Sequence, residues 1–230
     1  MHSPAIINVS ENLLALDTSG DCCSVALLGR TASIERTVVA PKEHTKFILQ
    51  MINEVLDEAK VCIGDLVCIA FSHGPGSFTG IRLAASIVQG LAFPHGIPVM
   101  GISTLRAIAQ EILETKGCAN VLVVQDARMG EIYLGKYVAK EGIMQPLASD
   151  AIVKPDKRMA EIFSEEFVMA GSGYELCKEM VRKMDFIDLS CAQARYIARL
   201  AYYDIISGVR IEGVEKAIPI YLRNEIVTLQ

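Results

Sequence analysis

Two aspartates, Asp17 and Asp126, are candidates for a functional site in this sequence because of their carboxylates and their positions. Each stands at the end of a predicted buried strand. Two carboxylates at strand ends that face one cleft can hold Mg²⁺ or position a nucleotide phosphate. Aspartate also caps the hairpin turn that follows a strand. For Asp126, the nearby Arg128 favours an ion pair or a role in the turn.

The most distinctive segment is glycine-rich and runs over residues 72–82, between a predicted buried strand and a predicted helix. Glycines permit positive φ or a close approach of backbones, and free N–H groups at a helix start can bind an anion. The candidate anion or nucleotide loop comprises Asp17, Gly74, Gly76, Ser77, Thr79, Gly80 and Arg82. The Lys-Ser/Thr pair of a Walker loop is missing. Spacing alone therefore favours a tight turn whose glycines serve packing.

The histidines give no pattern for a metal site. The sequence has four, at positions 2, 44, 73 and 95, and no two lie three or four residues apart. No helix can therefore present a pair of histidines on one face for zinc or iron. His44 lies near the start of a predicted helix, where a lone histidine is typical of a cap or the surface, and Ile48 follows four residues later. We therefore predict no metal site.

Composition excludes several classes of protein. The chain has 230 residues, is 51% hydrophobic and carries a net charge of −5, without a run of lysine or arginine. An apolar chain of this kind folds, but strong binding of nucleic acid by the chain alone is disfavoured. The seven cysteines form no Cys-x-x-Cys pair, which favours a reduced, cytoplasmic compartment. No apolar run is long enough for a membrane span, and no signal peptide is recognisable.

Periodicity and turn residues predict an α/β fold in two halves. Strands are predicted at 13–18, 22–28, 31–39, 66–72 and 97–102, then at 121–125, 131–138, 151–153 and 167–170. Helices are predicted at 43–60, 79–93 and from Ser103 to Gly117, then from Pro155, at 174–183 and at 191–206. Each half has the order βββαβα, and we expect lobes at 1–116 and 117–230. Residues 141–149 are too ambiguous to assign.

The helix predicted at 79–93 is apolar over most of its circumference, which is more than one sheet-facing stripe requires. It is either sandwiched inside its lobe or in contact with another subunit. We favour a protein–protein interface, because its small residues Ala84, Ala85 and Gly90 allow close helix approach.

Four segments together resemble the bacterial TsaB (YeaZ) family, glycoprotease-like paralogues of TsaD. They are Leu-Ala-Leu-Asp-Thr-Ser at 14–19, the segment 73–82, Asp-Ala-Arg-Met-Gly-Glu-Ile-Tyr at 126–133, and Pro-Ile-Tyr-Leu-Arg-Asn at 219–224. The resemblance covers nearly the whole chain. It implies an actin-like ATPase (ASKHA) fold of two ribonuclease-H-like lobes.

The resemblance also implies a role. TsaD transfers a threonylcarbamoyl group to N6 of the adenosine next to the anticodon, in tRNAs that read codons beginning with A. TsaE assists, and a TsaB-like chain is the non-catalytic partner that TsaD needs. The metal-binding histidine pair belongs to TsaD. The resemblance implies no cofactor for this chain alone, ATP or ADP only in the complex with TsaD and TsaE, and tRNA contact only through that complex.

The resemblance further implies a homodimer, or a heterodimer with TsaD, formed by the helices at 43–60 and 79–93. The interface residues that it assigns are Ile48, Met51, Ile52, Val55, Leu83, Ile87 and Leu91. The final helix and tail are expected to pack back on the first lobe.

Two other functions stay open from the sequence. One is an ATP-dependent kinase of the actin-like superfamily, which would use Asp17, residues 74–80 and Asp126 around a nucleotide. The other is a metalloprotease of glycoprotease type, which the missing histidine pair disfavours.

Overall fold

The computed structural model describes residues 12–29, 33–156, 166–179 and 184–224. The chain divides into two compact units. The first comprises the described residues up to Ser103 together with Ala192–Pro219. The second comprises Thr104–Cys191 together with the described residues from Ile220 onward.

The first unit is built on a five-stranded sheet with the order β3-β2-β1-β4-β5. The strands are β1 (Asn12–Asp17), β2 (Cys22–Leu28), β3 (Ser33–Val39), β4 (Leu66–Gly74) and β5 (Val99–Ser103). The first three strands form antiparallel hairpins, and β4 and β5 run parallel to β1. Strands β1 and β4 are almost continuously apolar, which is typical of strands covered on both faces.

Helices cover both sheets. Within the described residues they are α1 (His44–Ala59), α2 (Phe78–Ala92), α3 (Thr104–Lys116), α4 (Tyr174–Cys177) and α5 (Ala194–Ile206). In the first unit α1 packs on β2, α2 packs on β4, and α5 packs on β1 and β2. The hydroxyl of Ser24, on β2, accepts the N–H of Ala194 at 2.9 Å and so fixes the start of α5.

The second unit has a six-stranded sheet with the path β11-β10-β6-β7-β8, and β9 pairs with β7 beside it. The strands are β6 (Asn120–Arg128), β7 (Glu131–Lys140), β8 (Ile143–Pro146), β9 (Ala151–Val153), β10 (Val168–Ala170) and β11 (Phe186–Ile187). Strands β10 and β11 run parallel to β6, and the pairs with β7 are antiparallel. Helix α3 packs on β6, β7 and β8.

The structure confirms the α/β class and differs from the predictions in detail. The units divide at Ser103, whereas the predicted boundary follows residue 116, because α3 packs on the second sheet. Strands β8 and β11 were not predicted, and β6 continues past Asp126. The described part of the helix predicted at 174–183 is only four residues long. The helix predicted from Pro155 has no helical residue at 155–156, and its continuation lies outside the described residues.

Candidate functional site

The glycine-rich loop that joins β4 to α2 lies against the turn between β1 and β2. The Thr18 hydroxyl donates to the carbonyl of Gly80 at 2.7 Å, and the Ser77 N–H donates to the carbonyl of Ser19 at 2.7 Å. The Ser77 hydroxyl in turn accepts the Gly80 N–H at 3.4 Å and caps α2. Two N–H groups near the helix start are therefore used within the protein.

Two glycines of this loop have no room for a side chain. A Cβ on Gly76 would lie 2.6 Å from the carbonyl oxygen of Ser19, and a Cβ on Gly80 would lie 1.9 Å from that of Thr18. Both distances are too short for a real contact, and the opposing atoms are backbone. These glycines let the helix start approach the β1–β2 turn closely, which agrees with the packing interpretation of the sequence.

Asp17, at the end of β1, is completely buried. Its Oδ1 accepts the N–H of Ser19 at 3.2 Å and the Ser19 hydroxyl at 2.6 Å. Among the described residues, Oδ2 has no hydrogen-bond partner within ordinary geometric limits, and neither has the hydroxyl of nearby Ser72. Burial raises the pKa of Asp17 above its ordinary value, although hydrogen bonding to Ser19, the nearby Ser72 hydroxyl and the charge of His44 lower it. The direction of the shift follows from desolvation, because burial penalises the charged form of a carboxyl.

The start of α2 presents the remaining polar residues of the loop to solvent. Ser77, Thr79 and Arg82 are exposed. The Arg82 guanidinium lies 3.5 Å from the centroid of the Phe78 ring, a cation–π contact. The structure thus separates the candidate residues. Asp17 is buried at the end of β1, and Gly76 and Gly80 pack against the β1–β2 turn. Gly74 is buried at the end of β4, where it pairs with Ser103 on β5, and Ser77, Thr79 and Arg82 are at the surface.

Asp126, in the second unit, organises the turn between β6 and β7. Its Oδ1 accepts the N–H of Arg128 at 2.7 Å, and its Oδ2 pairs with the Arg128 guanidinium at 3.2 Å. The Asp126 N–H donates to the Ser172 hydroxyl at 3.1 Å. The predicted ion pair or turn role of Asp126 is confirmed.

Sequence reasoning missed Arg223 as a contact of this turn. Its Nη2 donates to the carbonyl of Ala127 at 2.7 Å, and its Nη1 lies 2.7 Å from Oε2 of Glu131. Nη1 is also 3.4 Å from the sulfur of Met129. The one available signal was the position of Arg223 in the segment 219–224 that carries the resemblance.

A second glycine loop, Gly-Ser-Gly at 171–173, was also missed. A Cβ on Gly171, whose φ is +115°, would lie 2.0 Å from the carbonyl oxygen of Val124. The Gly173 N–H donates to the same carbonyl at 3.0 Å, and the Ser172 hydroxyl donates to Oε1 of Gln125 at 2.6 Å. The signal was a glycine pair directly after a short apolar run.

Four of the predicted interface residues lie in the core of the first unit. Ile48, Met51, Ile52 and Val55 are buried, because the stripe of α1 that the periodicity identifies faces the sheet. They offer no surface to a partner in the single chain. On α2, Leu83, Ile87 and Leu91 are half-buried. The large apolar side chains exposed on and beside these helices are Leu49, Phe78 and Phe93, the last 75% exposed.

The helix that begins at His44 offers no second metal ligand one turn later. His44 is buried, contrary to its expected place at the surface or as a cap, and Ile48 on the following turn is 1% exposed and faces the core. In the described part of the chain, no group of three His, Cys, Asp or Glu residues could hold a metal ion. None of the helices described is both long and apolar enough to cross a bilayer.

Comparison with known proteins gives consistent matches along the chain. The family model for TsaD, the tRNA N6-adenosine threonylcarbamoyltransferase, matches residues 37–226. The tRNA threonylcarbamoyladenosine biosynthesis protein TsaB of Haemophilus influenzae is 35% identical, over 93% of this chain and 94% of the relative. TsaB of Escherichia coli K12 is 33% identical, over 93% and 95%. The solved structure of YeaZ from Pseudomonas aeruginosa, 35% identical, superimposes with a TM-score of 0.83 and covers 92% of this chain and all of that chain.

Proposed function

Because this chain belongs to the TsaB (YeaZ) family of tRNA threonylcarbamoyladenosine biosynthesis proteins, we propose that it acts as the non-catalytic partner subunit of TsaD. The proposed complex transfers the threonylcarbamoyl group to N6 of the adenosine adjacent to the anticodon, in tRNAs reading codons that begin with A. The observation that carries the proposal is the match to TsaB proteins over nearly the whole length of both chains.

The fold and the site agree with a scaffold role. The chain has the actin-like ATPase fold of its family. In the first unit, the backbone of Thr18 and Ser19 lies directly against Gly80 and Gly76, and the N–H groups of Ser77 and Gly80 at the start of α2 are bound within the protein. Asp126 is engaged by Arg128. These contacts disfavour the kinase alternative, in which the same groups would hold a nucleotide.

The proposed contact with TsaD, or with a second copy of this chain when TsaD is absent, uses the solvent side of α1 and α2. It centres on Leu83, Ile87 and Leu91, the half-buried residues of α2, and extends to Phe78 and Phe93 at the two ends of that helix. Phe78 and Phe93 are 58% and 75% exposed, and large aromatic side chains of this kind are typical anchors of protein interfaces. The buried stripe of α1 holds α1 against the sheet of the first unit.

The proposal assigns no cofactor to the isolated chain, and it assigns ATP or ADP only to the complex with TsaD and TsaE. Contact with tRNA is likewise assigned to the complex, in keeping with the net charge of −5. The proposed compartment is the cytoplasm. Calorimetry with ATP and Mg²⁺ tests the first point, since micromolar binding by the chain alone would favour the kinase alternative.

Reconstituted tRNA modification tests the function directly. TsaD, TsaE, threonylcarbamoyl-adenylate and unmodified tRNA are incubated with or without this chain, and the modified adenosine is quantified by mass spectrometry. We expect strong modification only when the chain and TsaD are both present. Equal modification without the chain would contradict a partner role, and modification by the chain without TsaD would contradict a non-catalytic one.

Matched surface variants test the interface. Phe93→Glu and Ile87→Glu should abolish co-purification with TsaD, because each would bury an unpaired charge in the contact. Phe93 is so exposed that its replacement leaves the isolated fold intact. Val209→Glu, at an apolar side chain that is 52% exposed elsewhere in the first unit, is the control and should bind normally. Retention of TsaD by Phe93→Glu and Ile87→Glu would refute this surface.

A further inference from the structure

The turn between β6 and β7 holds three successive residues in the left-handed region. The φ angles are +66° at Arg128, +59° at Met129 and +74° at Gly130. Only glycine adopts this region without cost, and a two-residue hairpin turn with both central φ angles positive prefers Asn-Gly. Here the central pair is Met-Gly, preceded by an arginine in the same region. We call residues 128–130 the tip. The residue types of the tip do not by themselves favour its left-handed backbone conformation.

Packing does little to hold the tip. Met129 is 84% exposed, and the Arg128 side chain is 86% exposed. The register of β6 and β7 shifts between Asp126 and Arg128, so the ladder is interrupted directly before the turn. Specific polar contacts must offset the unfavourable backbone.

Asp126 supplies two such contacts from inside the hairpin, since it accepts the Arg128 N–H and pairs with the Arg128 guanidinium. Further contacts come from Arg223, which is remote in sequence. Its guanidinium joins β6 to β7, because it donates to the carbonyl of Ala127 and pairs with the carboxylate of Glu131. It also contacts the Met129 sulfur. A planar guanidinium can satisfy several acceptors at fixed angles, which a lysine cannot.

Arg223 lies in a short helical turn, Leu222–Asn224, that contacts β9 of the same unit. We propose that residues 220–224 form a strap whose Arg223 locks the tip in its left-handed conformation. The surface presented by Arg128 and Met129 then depends on whether the strap is in place. Displacement of the strap would loosen the tip while leaving the sheet of the second unit folded. This inference is independent of the proposed function.

Amide hydrogen exchange in the full chain, measured by NMR, tests the strap. In Arg223→Ala we expect the amides from Asp126 to Glu131 to exchange about tenfold faster, with those of β10 and α3 unchanged. Arg223→Lys should behave like the alanine variant, because a lysine ammonium cannot bind several acceptors at fixed angles as the planar guanidinium does. Arg210→Ala, at an exposed arginine of the first unit, is the matched control and should leave the tip unchanged.

A second variant distinguishes local loosening of the tip from destabilisation of the whole second unit. Met129→Asn gives the turn the Asn-Gly pair that its backbone prefers, so Arg223→Ala combined with Met129→Asn should restore slow exchange at the tip. Unchanged exchange in Arg223→Ala would overturn the proposal. So would faster exchange that spreads over the whole second unit and persists in the double variant.

Discussion

The two units place an aspartate at the same topological position and use it in opposite ways. Asp17 ends β1 of the first sheet, is completely buried and accepts the Ser19 N–H and hydroxyl through one oxygen. Asp126 lies two residues before the corresponding end of β6 in the second sheet, is partly exposed and pairs with Arg128. Burial raises the pKa of Asp17. The chemistry of each carboxylate is therefore determined by the residues around it and not by its position in the fold.

The glycines that pack against these strands and turns, unlike the aspartates, have the same role in both units. Gly80 in the first unit approaches the carbonyl of Thr18, and Gly171 in the second approaches the carbonyl of Val124. In each unit a glycine that follows a parallel strand packs against a backbone carbonyl, which belongs to the residue directly after β1 in the first unit and to a residue within β6 in the second. The glycines thus serve backbone packing in both units, whereas the aspartates have diverged.

The largest expected effect tests this common role of the glycines. Gly80→Ala and Gly171→Ala should each lower the free energy of unfolding by about 3 kcal/mol, because the new Cβ meets a backbone oxygen that cannot move freely. Gly90→Ala is the control, since Gly90 lies on α2 with open space around it. It should be neutral or stabilising by up to about 1 kcal/mol. Chemical denaturation measures all three, and a harmless Gly80→Ala would show that the loop packs loosely.

The burial of Asp17 gives the next effect. Asp17→Ala should cost about 2 kcal/mol, because it leaves the buried N–H and hydroxyl of Ser19 without their acceptor. Asp17→Asn keeps an acceptor and serves as the conservative variant. Denaturation of the purified variants measures the difference between them.

The same carboxyl predicts a pH dependence. Since its folded pKa is raised above the unfolded value of 3.8, it stabilises the wild type fully below that value, and this stabilisation is lost as the pH rises through the folded pKa. Relative to wild type, Asp17→Asn should therefore become more stable as the pH rises from acidic to neutral. A difference that stays constant with pH would mean that the folded pKa is not raised.

The smallest effect belongs to Asp126. Asp126→Asn keeps an oxygen for the Arg128 N–H and removes only an ion pair in which the arginine side chain is 86% exposed. We expect a loss below about 0.5 kcal/mol, and no loss in about 1 M salt. Thermal unfolding at low and high salt measures it. A loss as large as that of Asp17→Ala would contradict the contrast between the two aspartates.

The sequence by itself determined the secondary structure of the first unit and the family. Strand β2 has the predicted bounds, and α1 and α2 begin and end within one residue of theirs. These elements follow from local periodicity and turn residues, which act over a few neighbouring positions. The four motifs that carry the resemblance could likewise be recognised without a structure. The short strands β8 and β11 could not be predicted, because β8 lies in the ambiguous segment 141–149 and the two residues of β11 carry too little periodicity.

Only the tertiary structure decided which side of a helix meets solvent and which distant residues meet each other. The apolar stripe on α1 could face a partner or its own sheet, and the fold buries Ile48 and Val55 against the sheet. Arg223 contacts Ala127 although the two residues are far apart in the chain. Helix α3, which was predicted to belong to the first lobe, packs on the second sheet. Such contacts depend on chain folding over long distances, and residue types along the chain do not encode them locally.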